Sequence, residues 1–457
     1  MHRVARRARA LWLLMLLLLG GLGYFCRAYG LDGASWALHS ANPHAFGANG
    51  TLKLGSVVDR DGSFLLWLQN GRVYAADAVV RSATLHWLGD RSGNIRGTAL
   101  QTYAGKMAGY SPVHGLYGYG GGGAQAQLTL SSYVQAAALE ALGDYKGTVA
   151  VCNYQTGALI CAVTSPTFDP DGHADLSDPK YEGVYLNRFT QAAYVPGSIF
   201  KIVTTAAALE NMPGVEELTY TCTGTHKIDG DKVTCERAHG KQDLQAAMKN
   251  SCNCYYANLS MQLGAQRLSA YVRTCGVLDS VEFDGIATTP GNFQISGAAD
   301  VQIAWSAIGQ HKDLVNPCSF LTFVSAVANG GRGPMPYVVA SIRKGKQTLY
   351  EAVPVMGDAV MSTQTASMLQ TFMRNNVVNN YGQEHFPYGM TVCAKSGTGE
   401  VDGNRKPYAM FTGFVEEEAY PLAFIVAVED AGYGKKVCIP ILTEVLAACQ
   451  AVLDRQA

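Results

Sequence analysis

In the run Pro196-Gly197-Ser198-Ile199-Phe200-Lys201, a lysine follows a serine by one helical turn. Residues three apart on a helix share a face. A serine hydroxyl is a poor nucleophile at neutral pH and needs a base within hydrogen-bond reach. A lysine can be that base only when neutral, and burial or a second nearby cation would make it so. Ile199, Phe200, Ile202 and Val203 surround Lys201 with apolar residues, which points to a core position. The start of a helix also offers backbone N–H groups to an oxyanion. Further on, Ser251-Cys252-Asn253 supplies a hydroxyl that can relay a proton and an amide that can hold a substrate amide. Lys395-Ser396-Gly397-Thr398 combines a cation and two hydroxyls, a set that suits a carboxylate, with a glycine that lets a ligand approach the backbone. Each motif alone has a plainer reading: an N-cap serine with a surface lysine, a helix N-cap, and an exposed edge strand.

The elements that must position these residues can be read from apolar spacing. Leu128 to Leu142 carries a helical pattern, and Thr148 to Val163 reads as a hairpin around Thr156-Gly157. Ile199 to Leu209 is apolar almost all round, as a buried helix would be. Gln242 to Leu263 reads as a second helical stretch, Phe411 to Val428 as late strands, and Leu442 to Leu453 as a closing helix. Thr391 to Thr398 reads as a strand, with Lys395 and Gly397 on one face and Ser396 and Thr398 on the other. A hairpin among helices predicts an α+β domain built on an antiparallel sheet.

Ser-x-x-Lys, Ser-x-Asn and Lys-Ser/Thr-Gly, in that order, resemble the signature of penicillin-binding proteins and serine β-lactamases. From Gln125 to Leu446 the chain is similar to the transpeptidase domain of monofunctional (class B) penicillin-binding proteins. Asn187-Arg188 ahead of the serine, TSPTFDP at the end of the hairpin, Ile308-Gly309-Gln310 and Ala328-Asn329-Gly330-Gly331 are further landmarks, as is the placing of Cys222, Cys235 and His239-Gly240 before Ser251. The resemblance implies a transpeptidase or β-lactamase-like fold, an antiparallel sheet with helices on both sides. It implies a peptidoglycan D,D-transpeptidase that forms a serine acyl-enzyme with D-Ala-D-Ala stem peptides, cross-links them to an amine, and is acylated by β-lactams. Ser198 would be the nucleophile and Lys201 its base. Ser251 would relay a proton with Lys395 beside it, and Asn253 would orient the substrate amide. Ser396, Gly397 and Thr398 would line the carboxylate site, and the backbone N–H groups of Ser198 and Thr398 would form the oxyanion hole. The chain departs from the family pattern at Ser396 (commonly threonine), Gly399 (often alanine), His311 (often glycine) and Met410 (often aromatic). The departures bear on substrate fit and leave the nucleophile in place.

Other readings stay open at this point. A serine β-lactamase shares the motifs, but no Glu-x-x-Leu-Asn is present, and Asn253 stands where class D enzymes favour valine. A D,D-carboxypeptidase would use water as acceptor. A β-lactam sensor would need a signalling domain on the cytoplasmic side, where only residues 1–9 precede the apolar run.

The N-terminus sets the compartment. Arg3, Arg6, Arg7 and Arg9 precede an uncharged, leucine-rich run from Ala10 to Cys26, closed by Arg27. Tyr24 and Phe25 suit a cleavage site poorly, so an uncleaved signal anchor is expected, with the N-terminus cytoplasmic and the remainder outside. No second apolar run is expected to span. Three parts follow: residues 1–27 as tail and anchor, 28–125 as a membrane-proximal pedestal, and 126–457 as the transpeptidase domain. Val57 to Leu68 reads as two strands around Asp61-Gly62, and Leu116 to Gly123 as a glycine linker. A formal net charge of −1 carries no basic excess, so no nucleic-acid partner is expected. A membrane glycosyltransferase of the cell-wall machinery is the expected protein partner, and no cofactor or metal is expected. The chain has 12 cysteines, and those other than Cys222 and Cys235 show no CxxC or Cys/His zinc spacing. Tyr220 to Cys235 reads as a hairpin turning at Asp229-Gly230, which would bring Cys222 near Cys235 for a possible disulfide. Cys252 and Cys254 read as incidental to a helix.

Overall fold

The computed structural model describes residues 2–39, 41–46, 52–68, 71–113, 115–116, 123–401, 403 and 405–455. At its centre is a five-stranded antiparallel sheet in the order Val392–Gly399, Tyr408–Val415, Leu422–Val428, Gly147–Asn153, Leu159–Ser165. The inner strands are buried along almost their whole length, because both faces are covered. Alternate residues divide between the two sides. Val149 and Val151 pack with the helices Ser132–Leu142 and Gly434–Leu453, while Ala150 and Cys152 join the core that holds the helices Lys201–Asn211 and Pro317–Ala328. This is the expected α+β architecture, with helices on both sides of the sheet.

The hairpin expected at Thr148 to Val163 forms the two strands at one side of this sheet, and Val392–Gly399 forms its other edge. The closing helix begins at Gly434, well before Leu442, and contains Pro440. A proline ordinarily argues against helix at that point, which is why its first turns were not legible. Gln242 to Leu263 is two helices, Leu244–Lys249 and Asn253–Leu263, and Ser251 lies in the break between them.

Residues ahead of Gln125 do not close on themselves. Ser56–Val58, Phe64–Trp67 and Val73–Tyr74 share a six-stranded sheet with Gln125–Leu128, Val339–Lys344 and Gln347–Glu351. The Arg81 guanidinium grips both carboxylate oxygens of Asp169 at 2.6 Å, joining this layer to the TSPTFDP segment. Of the expected glycine linker, residues 117–122 lie outside the described residues.

The N-terminal apolar run is part of one helix, His2–Ala37, whose leucines from Leu11 to Leu22 are exposed. It is long and apolar enough to cross a membrane. Gly434–Leu453 passes the same test of length and composition, but half of it is buried against the central sheet, as a core helix is.

Candidate active site

Ser198 lies on a 3-10 turn, Gly197–Phe200, that leads directly into the buried helix Lys201–Asn211. The turn is pressed against the edge strand that carries Lys395 to Thr398. Gly197 has φ +53°, and a Cβ there would stand 2.3 Å from Thr398 O. A Cβ on Gly397 would stand 2.6 Å from Pro196 O. Only residues without a Cβ allow two backbones this close, so both glycines are required by the approach of turn to strand. On the far side, Gly197 N donates to Gly309 O at 2.8 Å, and Gln310 Nε2 donates to Thr398 O at 3.1 Å. The Ile308-Gly309-Gln310 segment thus braces both halves of the cleft.

Lys201 and Lys395 are both fully buried. Lys201 Nζ donates to Ser251 O and Asn253 Oδ1, each at 2.7 Å, and to Ser251 Oγ at 3.2 Å. Its ammonium also lies 5.4 Å from the centre of the Tyr256 ring. Lys395 Nζ donates to Ser396 O at 2.7 Å and to Ser251 Oγ at 3.2 Å. Burial lowers the Lys201 ammonium to about 8, against an opposing pull from the thiols of Cys252, Cys235 and Cys254. Lys395 is pushed well below the ordinary lysine value by burial and by repulsion from Lys201. Burial therefore works against a standing charge on Lys395 as well as on Lys201. Among the described residues no carboxylate pairs with either amine, and a cation on either one disfavours a cation on the other.

Ser251 has φ +51°, a conformation that non-glycine residues seldom adopt. This kink turns both Ser251 Oγ and the Asn253 side chain toward Lys201. Cys252, not Ser251 or Asn253, is the N-cap of the following helix, with Sγ accepting from Tyr255 N at 3.3 Å. Asn253 Nδ2 donates to Thr234 O at 2.9 Å, which fixes the amide so that its oxygen faces the amine.

Along the edge strand Lys395 and Gly397 are buried, while Ser396 and Thr398 are partly exposed, as the period-two reading requires. Tyr381, which the sequence reading missed, meets the Ser396 hydroxyl at 3.0 Å and accepts from Ser396 N at 2.9 Å. Thr398 Oγ1 accepts from Gly434 N at 3.3 Å. The structure thus gathers Lys201, Lys395 and Asn253 about Ser251, with Ser396, Gly397 and Thr398 following Lys395 on the edge strand and Ser198 on the turn pressed against that strand.

The expected Cys222–Cys235 disulfide is not formed. The hairpin does bring the two together, but the sulfurs are 3.8 Å apart and both are free thiols. Cys235 has two other sulfurs equally near, those of Cys252 and Cys254, so Cys252 and Cys254 are not incidental. His239 lies beside Cys222, and Glu400 is exposed.

Residues 147–447 match the penicillin binding protein transpeptidase domain. The chain belongs to that family. Among similar proteins, stage V sporulation protein D of Bacillus subtilis is 27% identical over 346 residues, 71% of this chain and 53% of that protein. The chain therefore spans about half the length of this relative. Peptidoglycan D,D-transpeptidase PbpA of Mycolicibacterium smegmatis is 28% identical over 347 residues, 68% of each chain. In fold, the chain is similar to penicillin-binding protein A of M. tuberculosis in its ceftriaxone acyl-enzyme complex, with a TM-score of 0.76 at 21% identity, covering 90% of this chain and 99% of that one. The penicillin-binding fold thus extends over nearly the whole described chain, including the layer ahead of residue 147.

Proposed function

We propose that the protein is a peptidoglycan D,D-transpeptidase, a serine acyltransferase that β-lactams acylate. The observation that carries this reading is the convergence of Lys201 and Lys395 on Ser251, with Asn253 accepting from Lys201, within a chain of the penicillin-binding transpeptidase family.

In the proposed reaction the Ser198 hydroxyl attacks the carbonyl of the penultimate D-alanine of a stem peptide. Lys201 takes the hydroxyl proton. As an ammonium it fills all three donors with Ser251 O, Ser251 Oγ and Asn253 Oδ1. Losing one proton frees a lone pair for Ser198, and a value near 8 keeps that form accessible at physiological pH. The backbone N–H groups of Ser198 and Thr398 receive the oxyanion. Ser251 passes a proton to the leaving D-alanine amine and takes its replacement from the Lys201 ammonium, with which its oxygen is in contact, so that Lys201 is neutral again in the acyl-enzyme; Lys395 steadies the same oxygen. Asn253 holds the substrate amide, and Lys395, Ser396 and Thr398 hold the terminal carboxylate across the gap that Gly397 leaves open. Attack on the ester by an acceptor amine then forms the cross-link and releases Ser198, and the amine proton returns through Lys201.

The helix His2–Ala37 fits a single-pass anchor, and the arginines ahead of it fit a cytoplasmic N-terminus. The division that goes with this reading is an anchor at 1–27, a membrane-proximal part at 28–125, and the catalytic domain from 126. Substrate stem peptides would then be met outside the cell, with strands supplied by a membrane glycosyltransferase partner.

Fluorescent penicillin is the test. The full-length protein in detergent should be labelled on Ser198, and Ser198→Ala should abolish labelling without lowering Tm. Label on a different serine, or none on folded protein, sinks the reading. Slow release of the label supports a transpeptidase, and rapid turnover to penicilloate supports a β-lactamase.

A further inference from the structure

The structure assigns a metal site to Cys222, Cys235, His239 and Cys252: a tetrahedral centre of three thiolates and one imidazole, of the kind that takes zinc. One ligand atom from each residue lies within 4.8 Å of all the others. The finer geometry is more telling. Zinc binds sulfur at about 2.3 Å and imidazole nitrogen at about 2.0–2.1 Å, so a tetrahedron has sulfur–sulfur edges of about 3.8 Å and sulfur–nitrogen edges of about 3.6 Å. Cys222 Sγ lies 3.8 Å from Cys235 Sγ, Cys235 Sγ lies 3.7 Å from Cys252 Sγ, and Cys222 Sγ lies 3.6 Å from His239 Nδ1. All three match those edges.

The surroundings point the same way. Each of the three sulfurs accepts a backbone N–H: Cys222 from Gly224 at 3.4 Å, Cys235 from Cys254 at 3.4 Å, and Cys252 from Tyr255 at 3.3 Å. Packed neutral thiols have no need of such donors, whereas metal-bound thiolates are held and tuned by them. A disulfide would require one pair of sulfurs at bonding distance, about 2.05 Å. Instead Cys235 has three sulfur neighbours between 3.4 and 3.8 Å and no single mate. Cys254 is the sulfur left over. It sits closer to Cys235 than a tetrahedral edge allows, and its thiol donates to Val233 O at 3.6 Å.

The ligands come from three separate pieces of chain. Cys222 ends the strand Tyr220–Cys222, Cys235 and His239 follow the hairpin strand Asp231–Thr234, and Cys252 lies between Ser251 and Asn253. A bound ion would pin the hairpin to the kinked Ser-Cys-Asn loop. Thr234, next to Cys235, accepts the Asn253 amide N–H, so the pin would also fix the group that orients Lys201. Binding would release the three thiol protons, giving a centre of net charge −1.

The test is elemental analysis of the full-length protein purified in detergent under anaerobic conditions with zinc supplied. About one zinc per chain is expected, with Cys235→Ser losing at least tenfold and Cys254→Ser retaining it. Exchange of wild-type protein with cobalt(II) should give the visible absorption of a tetrahedral thiolate complex, changed in His239→Ala. Since Cys235→Ser could fail by misfolding, titration of wild-type protein with a mercurial supplies a second reading. Zinc should leave in step with modification of Cys222, Cys235 and Cys252. Absence of metal with all three thiols freely alkylated, a bridge between any two of them, or equal metal in Cys235→Ser and the parent would each overturn the assignment. None of these readouts depends on whether Ser198 is acylated.

Discussion

The amines of Lys201 and Lys395 reach the same oxygen: each donates to Ser251 Oγ at 3.2 Å. Two lysines thus meet at one hydroxyl, and among the described residues no carboxylate pairs with either amine. Both are lowered by burial, and a proton on one raises the cost of a proton on the other. A protein that needed these residues only for packing would have little reason to bury two amines against each other. A site that needs a neutral amine near pH 7 gains directly from the arrangement.

Acylation should therefore follow the titration of Lys201. The neutral amine is the proposed base, and its fraction rises with pH up to a value of about 8. The second-order acylation constant with a penicillin should climb nearly tenfold per pH unit below that value and level off above it. Lys201→Arg keeps a cation but has no neutral form near neutral pH, so its acylation should fall by at least about 10³-fold and lose the slope. A flat profile between pH 6 and 10 for the parent would remove the lysine base from the mechanism.

Ser251 tests relay against backbone. Ser251→Ala removes the hydroxyl that both amines share and leaves a Cβ-bearing residue at φ +51° without the contacts that hold it there. Acylation should drop by about 10²–10⁴-fold, the usual worth of a positioned proton-transfer group. Ser251→Gly relieves the backbone and still lacks the hydroxyl, so it should recover Tm without recovering the rate. Recovery of both would mean that the serine matters only for the shape of the loop.

Tyr381 is a positioning residue for Ser396. Tyr381→Phe should cost roughly 1–3 kcal/mol, because Ser396 N loses its acceptor. The larger effect should be on binding: KM or the dissociation constant for carboxylate-bearing substrates should rise while the limiting acylation rate changes little. A penicillin methyl ester, lacking the carboxylate, should be acylated by parent and variant at similar rates. Equal losses with acid and ester would mean that Tyr381 only supports the strand.

How much of this was legible in the sequence depended on whether the partners lay close in the chain. Ser198 with Lys201, Ser251 with Asn253, and Lys395 to Thr398 are each contiguous, so their chemistry could be read from residue type and spacing. The central sheet was legible because its strands are apolar enough to stand out. Tyr381 lies 15 residues before Ser396 in a π-turn with no local signature, and nothing in its surroundings marks it. The sulfur cluster was hidden for the same reason. Spacings of Cys222, Cys235, His239 and Cys252 match no compact zinc pattern, and only the fold of the hairpin onto the Ser251 loop gathers them. The first sheet was harder still, since Val339–Lys344 pairs with Gln125–Leu128 across more than two hundred residues.

The close approach of the Ser198 turn to the edge strand gives the sharpest stability prediction. Gly197→Ala asks an alanine to adopt φ +53° with its Cβ 2.3 Å from Thr398 O, a backbone atom that cannot rotate away. Gly230→Ala at the hairpin tip asks for φ +91° but meets no atom within 4 Å. The second change should cost only the left-handed conformation, about 1–2 kcal/mol. The first should cost that and more, at least about 3 kcal/mol, because the turn and the edge strand must separate. Separation also displaces Ser198 from Thr398, so Gly197→Ala should lose penicillin acylation even in the fraction that stays folded, whereas Gly230→Ala should retain it. Urea unfolding and penicillin labelling on the same preparations decide the matter. Equal stability losses for the two variants would show that the turn can move off the strand freely, and that the cleft is not held by this contact.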